Sequence, residues 1–350
     1  MNAFIYDIPM TKVYFDENQL ANNLGVELQK LGKHVLLCFD NNNAKKTGIY
    51  NQIVGKVKKS GLELFELSGI ESNHQLDFVR EGVEICKEKQ IDAILVVGDG
   101  SIIDSVKFIS AATFYKEDDH HLSTRKPFIR KRIPIISILT LAKTNSEMND
   151  VDVASNMETK KLLLDPGNDF TINPNQTACG SVDILTRLFE IYFIDNEMEK
   201  PLNMLEDLIK TVIKYAPLAI EKSDNYEARA NLMWVSSWMI NSYLNPQLNG
   251  VDQTYHSLEH ELSAFYEITH GLGLSFLTPL WMKYVLSEKT VDRFYRYGIN
   301  IWSLDSRKDK MSVAKEAIVK TAEFFFEMFK LDKEKDWDIK SYMRILKRTF

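Results

Sequence analysis

Cysteine is scarce in this chain, with three residues in 350. Cys38, Cys86 and Cys179 lie far apart, are odd in number and form no CxxC pair. That spacing excludes a disulfide framework and a cysteine-built zinc cluster, and reads as reduced thiols in a cytoplasmic protein. No segment approaches the run of about 20 apolar residues that a membrane-spanning helix needs. The opening stretch, "MNAFIYDIPMTKVYFDENQ", lacks a basic start, an apolar core and a small-residue cleavage site, so it does not read as a secretory signal. Positive charge is not in surplus either. Lys and Arg total 43 against 49 Asp and Glu, a net charge of −6. This argues against nucleic acid or an anionic membrane as a partner. The local basic run "STRKPFIRKR" (123–132) reads as a solvated loop.

What is present is an alternation. Short continuous apolar runs, "KHVLLCFD" (33–40), "LELFEL" (62–67), "IDAILVVGDGS" (91–101) and "IPIISILTL" (133–141), are separated by segments of helical period at 48–61, 74–90 and 102–114. Buried strands alternating with amphipathic helices predict a parallel sheet covered on both faces. From about residue 175 every periodic segment is helical. The expectation is an α/β domain with a Rossmann-like parallel sheet over 1–174, followed by an all-helical domain over 175–350.

Two features of the first half could bind a ligand. "VVGDGSIIDSVK" (96–107) runs from a strand into a glycine turn and a helix. Gly98 and Gly100 would let the backbone approach a phosphate, and the amides of Ser101 and Ile102 would point at the anion. This is neither GxGxxG nor a P-loop, and a plain turn explains it as well. Asp40 ends an earlier buried strand, where a carboxylate can accept bonds from ribose hydroxyls or can cap the following turn.

Histidine is also scarce, with seven residues, yet three fall in "YHSLEHELSAFYEITHG" (255–271). His256 and His260 stand one helical turn apart on one face. His270 precedes "GLGL" and is placed to open the next helix. Imidazoles on neighbouring helix ends can share a cation with a carboxylate. "GSVDILTRLFE" supplies Asp183, with Glu190 further along the same face. A surface role for the three histidines is the alternative reading.

Taken together, these segments resemble the iron-containing (group III) alcohol dehydrogenases, closest to their butanol dehydrogenase and aldehyde reductase branch. "VVGDGSIIDSVKFIS" resembles the family's GGGSxxDxxK pyrophosphate motif, with Asp99 in place of a glycine. "LTLAKTNSEMN" (139–149) resembles its TLxATGSExN stretch. "NYEARANLMW" (225–234) and the histidine segment resemble second-domain signatures. The resemblance implies a dehydroquinate synthase-like fold and a nicotinamide cofactor, with NAD favoured over NADP because Asp40 stands where NAD-preferring members carry aspartate. It implies cofactor contacts at Gly98, Gly100, Ser101, Asp104, Thr140, Asn149 and Lys160 (or Lys161). A divalent iron or zinc would sit on Asp183, His256 and His270. His260 would lie near the substrate and nicotinamide without ligating, the substrate would be an alcohol or aldehyde, and the chain would form a homodimer.

One departure bears on that metal. The family pattern DxxxH places a third histidine ligand where this chain has Arg187. A guanidinium has no lone pair to offer a metal. Three outcomes follow from this. Either three ligands suffice with water, or Arg187 replaces the metal as a fixed charge, or the chain is a degenerate, metal-free nucleotide-binding relative without dehydrogenase activity. Two segments, between Glu147 and Asp165 and after "FFEMFK" (325–330), are also shorter than the family pattern.

Overall fold

The computed structural model describes residues 11–15, 19–39, 43–46, 48–69, 75–115, 131–140, 161–164, 166–167, 172–193, 199–239, 254–266 and 268–330. The chain divides into two compact units, one spanning 7–171 with 236–241 and the other 172–235 with 242–350, besides the first six residues.

Among the described residues the first unit holds a six-stranded sheet. Its strands are β1 (Lys12–Phe15), β2 (His34–Phe39), β3 (Glu63–Ser68), β4 (Ala93–Gly98), β5 (Ile135–Leu139) and β6 (Lys161–Leu164), in the order β1-β6-β5-β4-β2-β3, all parallel. Helices α1 (Gln19–Gln29), α2 (Asn43–Lys46), α3 (Ile49–Lys59), α4 (Gln75–Glu88) and α5 (Gly100–Ala112) connect them. The apolar runs became strands because both faces are covered. Val35, Leu37 and Phe39 of β2, with Ala93, Leu95 and Val97 of β4, join one buried cluster with Leu20, Leu24 and Leu28 of α1 and Ile49, Ile53 and Val57 of α3. The i, i+2 spacing on the strands and i, i+4 spacing on the helices put each set on one face. The intervening strand residues, such as Leu36 and Val96, are equally buried, and α5 packs against β2, β4 and β5.

Strand β6 was not legible as a strand, because "KLLL" is only four residues long. Chain order reverses between β2 and β4, which is where open parallel sheets bind ligands beyond their strand ends. Phe39 pairs there with Val97, one residue before Gly98.

The second unit is helical throughout its described residues. Its helices are α6 (Pro174–Tyr192), α7 (Glu199–Glu221), α8 (Tyr226–Trp238), α9 (Thr254–Tyr266), α10 (His270–Val285), α11 (Val291–Asn300) and α12 (Lys310–Met328). The α/β first half and helical second half match the architecture that the alternation implies. Helix α6 is the central scaffold, packing against α7 and α10. Among the described residues no helix is long and apolar enough to cross a membrane. The three cysteines are buried and form no disulfide. Burial pushes the Cys86 thiol up to about 12, so it stays protonated near neutral pH.

Candidate functional site

Helix α6 begins at a defined point. Asn173 caps it, accepting from Gln176 N at 2.8 Å, and Pro174 occupies the first turn. Buried Arg229 of α8 then clamps this end. It donates to Thr177 Oγ1 at 2.8 Å and to the Ile172 carbonyl at 3.3 Å. The "NYEARANLMW" segment thus contributes a fixture for α6. Asp183 follows in the middle of the helix with 1% of its surface exposed.

Helix α9 is tied to α6 through Tyr255, whose hydroxyl donates to the Thr186 carbonyl at 2.5 Å. This brings His256, the next residue, over Asp183. His256 Nε2 lies 3.5 Å from Asp183 Oδ1, and His256 Nδ1 lies 2.6 Å from Glu190 Oε1. His270 is the first residue of α10, and its Nε2 lies 4.0 Å from the same Asp183 oxygen. Its Nδ1 pairs with Glu259 Oε2. One donor atom from each of Asp183, His256 and His270 falls within 4.8 Å of the others. Donors about 2.1 Å from a shared ion stand about 3.4 Å apart at a tetrahedral angle. A small inward movement therefore suits a divalent cation, and one carboxylate with two imidazoles is a common donor set for zinc or ferrous iron. His260 stands apart from this group. It is exposed, with its ring 4.9 Å from that of His270.

Electrostatics in the pocket are tightly coupled. Burial opposes a charge on His256, but its bonds to Asp183 and Glu190 outweigh this and hold its pKa above the ordinary value. Burial raises the Glu190 carboxyl, against the lowering effect of His256 and Arg187. Arg187 Nε sits 3.1 Å from Asp183 Oδ1, one helical turn on. The guanidinium therefore bonds the same oxygen that faces both imidazoles. The residues present fit a three-ligand site, with a fixed cation where a further ligand could stand.

Gly271 sets how closely α10 approaches α6. A Cβ there would lie 2.4 Å from Cys179 Cα and 2.5 Å from its carbonyl oxygen, both backbone atoms that cannot turn aside. Gly271→Ala is expected to push His270 away from Asp183. The expected outcomes are a destabilisation of about 1–3 kcal/mol in denaturant unfolding and weaker zinc uptake by chelator competition. An unchanged zinc affinity would show that the close approach is dispensable.

In the first unit, the glycine turn follows β4 directly. Thr140, after β5, donates its amide to the Gly98 carbonyl at 3.1 Å, so the ends of these adjacent strands are joined. Asp104 Oδ1 lies 3.2 Å from the buried Lys107 ammonium. The Ser101 amide is bonded within the turn, donating to Asp99 Oδ1 at 3.1 Å. Asp99 has extended backbone (φ −90, ψ −173) and acts as the N-cap of α5. A carboxylate thus occupies the helix end where an anion would lie. Asp40, Asn149 and Lys160 fall outside the described residues, as do 147–160 of the first shortened segment and 331–350 after the second, while Lys161 opens β6.

The sequence profile for iron-containing alcohol dehydrogenase matches residues 10–170, and the C-terminal profile of the Fe-containing alcohol dehydrogenase family matches 177–341. The chain belongs to the iron-containing alcohol dehydrogenase family. It is 42% identical over 341 residues to NADH-dependent butanol dehydrogenase A of Clostridium acetobutylicum, covering 93% of this chain and 86% of that protein. An NADPH-dependent aldehyde reductase of Escherichia coli is 29% identical over 353 residues, covering 94% and 87%. Among solved structures, that of NADH-dependent butanol dehydrogenase A from Thermotoga maritima superposes with a TM-score of 0.83 at 30% identity, covering 99% of this chain and 91% of that one. Within this iron-containing alcohol dehydrogenase, sequence reading missed Glu259 and Arg229. Both are charged residues in polar-looking helical segments, and only their burial sets them apart.

Proposed function

We propose that the chain is an NAD(P)-dependent alcohol dehydrogenase and aldehyde reductase that interconverts small alcohols and aldehydes. The observation that carries the site assignment is the convergence of Asp183, His256 and His270 on one point. In this reading they hold one divalent ion, zinc or iron. When bound, the ion supplies Lewis acidity at the substrate oxygen and the nicotinamide supplies or takes the hydride. The chain's own residues do the rest. Asp183, buried and anionic, balances the positive charge of the centre. Arg187 holds Asp183 and leaves the site with three protein ligands. His260, exposed beside His270, carries the proton to or from the substrate oxygen.

The turn at Gly98, Gly100 and Ser101, with Thr140 beside it, binds the cofactor diphosphate, Asn149 and Lys160 contact the cofactor, and Asp104 braces the turn through Lys107. Asp40, next in sequence after β2, selects NAD by accepting from the adenosine ribose and repelling a 2′-phosphate. The two units divide this work, the first taking the cofactor and the second the metal. Strand β1 forms the sheet edge, which suits pairing with a second copy in a cytoplasmic homodimer; light scattering at dimer mass checks this.

The test is aldehyde-dependent oxidation of NADH and NADPH by zinc- or iron-loaded protein, across short and medium chain lengths. Turnover with a higher kcat/KM for NADH is expected. A preference for NADPH removes the role given to Asp40, and absence of turnover with cofactor bound removes the catalytic assignment.

A further inference from the structure

We propose that Glu259 is a positioning residue that fixes which nitrogen of His270 carries the proton, and that Ser263 and Gly273 exist in this arrangement to hold Glu259 there. The inference builds on the reading of His270 as a metal ligand, though its first readout is independent of metal.

Glu259 lies in α9 between His256 and His260, and none of its surface is exposed. A fully buried glutamate calls for a specific set of partners. Both of its carboxylate oxygens are engaged. Oε1 accepts from Ser263 Oγ, one helical turn further on, and Oε2 pairs with His270 Nδ1. A carboxylate only accepts, so the shared proton sits on Nδ1 and the lone pair of the neutral ring sits on Nε2. Nε2 is the nitrogen that faces Asp183 Oδ1 at 4.0 Å. Neutral histidine in water favours the opposite tautomer, with Nε2 protonated and unable to ligate. Glu259 reverses that preference before any ion arrives. A buried carboxylate behind a ligating imidazole is the kind of outer partner that orients the ring and raises its basicity.

The space for this carboxylate comes from α10. A Cβ on Gly273 would lie 2.3 Å from Glu259 Oε1 and 3.0 Å from its Cδ and Cγ. The carboxylate would have to move, and moving it breaks its bonds to Ser263 and His270. Glu259, Ser263, His270 and Gly273 therefore form one device. Glu190 stands in the equivalent place behind His256, 2.6 Å from its Nδ1. The two imidazoles are thus each backed by a buried carboxylate from a different helix.

The test reads the tautomer directly. Long-range 1H–15N spectra of the metal-free protein at alkaline pH, with His270 assigned by its loss in His270→Gln, are expected to show Nδ1 protonated and Nε2 bare. Glu259→Leu and Gly273→Ala are expected to move the proton to Nε2. Both are expected to weaken zinc binding by about ten- to a hundredfold in chelator competition. Glu259→Gln keeps an acceptor oxygen of the same reach and is expected to retain the Nδ1–H tautomer and most of the affinity, a rescue that simple loss of packing would not produce. If Glu259→Leu does not fold, Gly273→Ala and Ser263→Ala carry the same comparison. A wild-type His270 protonated on Nε2, or a tautomer unchanged in the variants that fold, overturns the proposal. Should the wild type bind no metal, the metal reading fails alone, and the tautomer still decides the role of Glu259.

Discussion

Replacing Arg187 with histidine is expected to raise the affinity of the protein for zinc at least about a hundredfold, or about 2.8 kcal/mol, with turnover rising in parallel. Two effects act in the same direction. The guanidinium stays protonated, and its Nε lies 3.1 Å from the Asp183 oxygen that faces both imidazoles. Unit charges about 4 Å apart repel by about 4 kcal/mol at an effective dielectric constant of 20, and a divalent ion doubles that. The Arg187 side chain is 21% exposed and can partly relieve the repulsion by turning outward, so only a fraction is recovered. The second effect is a new imidazole ligand one helical turn from Asp183. The same substitution has an opposite consequence without metal. Asp183 is 1% exposed, and removing a buried ion-pair partner costs about 3–5 kcal/mol. Metal-free R187H is therefore expected to melt below wild type, and zinc-loaded R187H above zinc-loaded wild type. Thermal unfolding with and without zinc, beside chelator competition, checks both signs. A variant whose zinc affinity matches wild type would show that Arg187 already swings clear of the ion.

The second large effect is expected in the first unit, at the glycine turn. Asp99→Gly should lower the dissociation constant for NADH by about tenfold or more, about 1.4 kcal/mol. The Asp99 carboxylate accepts from the Ser101 amide and sits at the start of α5, where the helix end would otherwise favour a phosphate. It both uses a donor and repels the diphosphate. Glycine is a tolerable N-cap, costing only about a few tenths of a kcal/mol. Asp99→Asn removes the charge and keeps the cap, so it should reproduce much of the gain with no loss of stability. The difference from wild type should shrink as salt rises, because the turn is partly exposed. NADH fluorescence titrations at low and high ionic strength measure this. Equal affinities in wild type, Asp99→Gly and Asp99→Asn would show that the cofactor diphosphate does not approach this turn.

Much of the fold was legible because periodicity and burial agreed. The runs that became β2, β4 and β5 are apolar at nearly every position, and their strands are covered on both faces. Strand β6 lacked the length to declare itself, and its pairing with β1 and β5 joins residues far apart in sequence. In the site, Asp183, His256 and His270 could be named from spacing and resemblance, since ligands must be of particular types. Glu259 could not. It lies in "HSLEHEL", where charged residues surround it and a solvated helix face is the ordinary reading. Its burial follows from Gly273, fourteen positions on, and from the first residue of α10. Asp99 was visible as a departure from a glycine motif, yet its use as a cap depends on backbone angles that no pattern of residue types reveals.

In the proposed reading the chain reduces aldehydes with a divalent ion held by Asp183, His256 and His270. The most direct test is to strip the protein of metal and titrate it with zinc or ferrous iron while following NADH oxidation with a short straight-chain aldehyde. Turnover should appear in proportion to metal bound and level off at one ion per chain, and His256→Ala should abolish both. Full turnover in the stripped protein, or one tightly bound ion with no turnover while NADH is bound, would contradict the account.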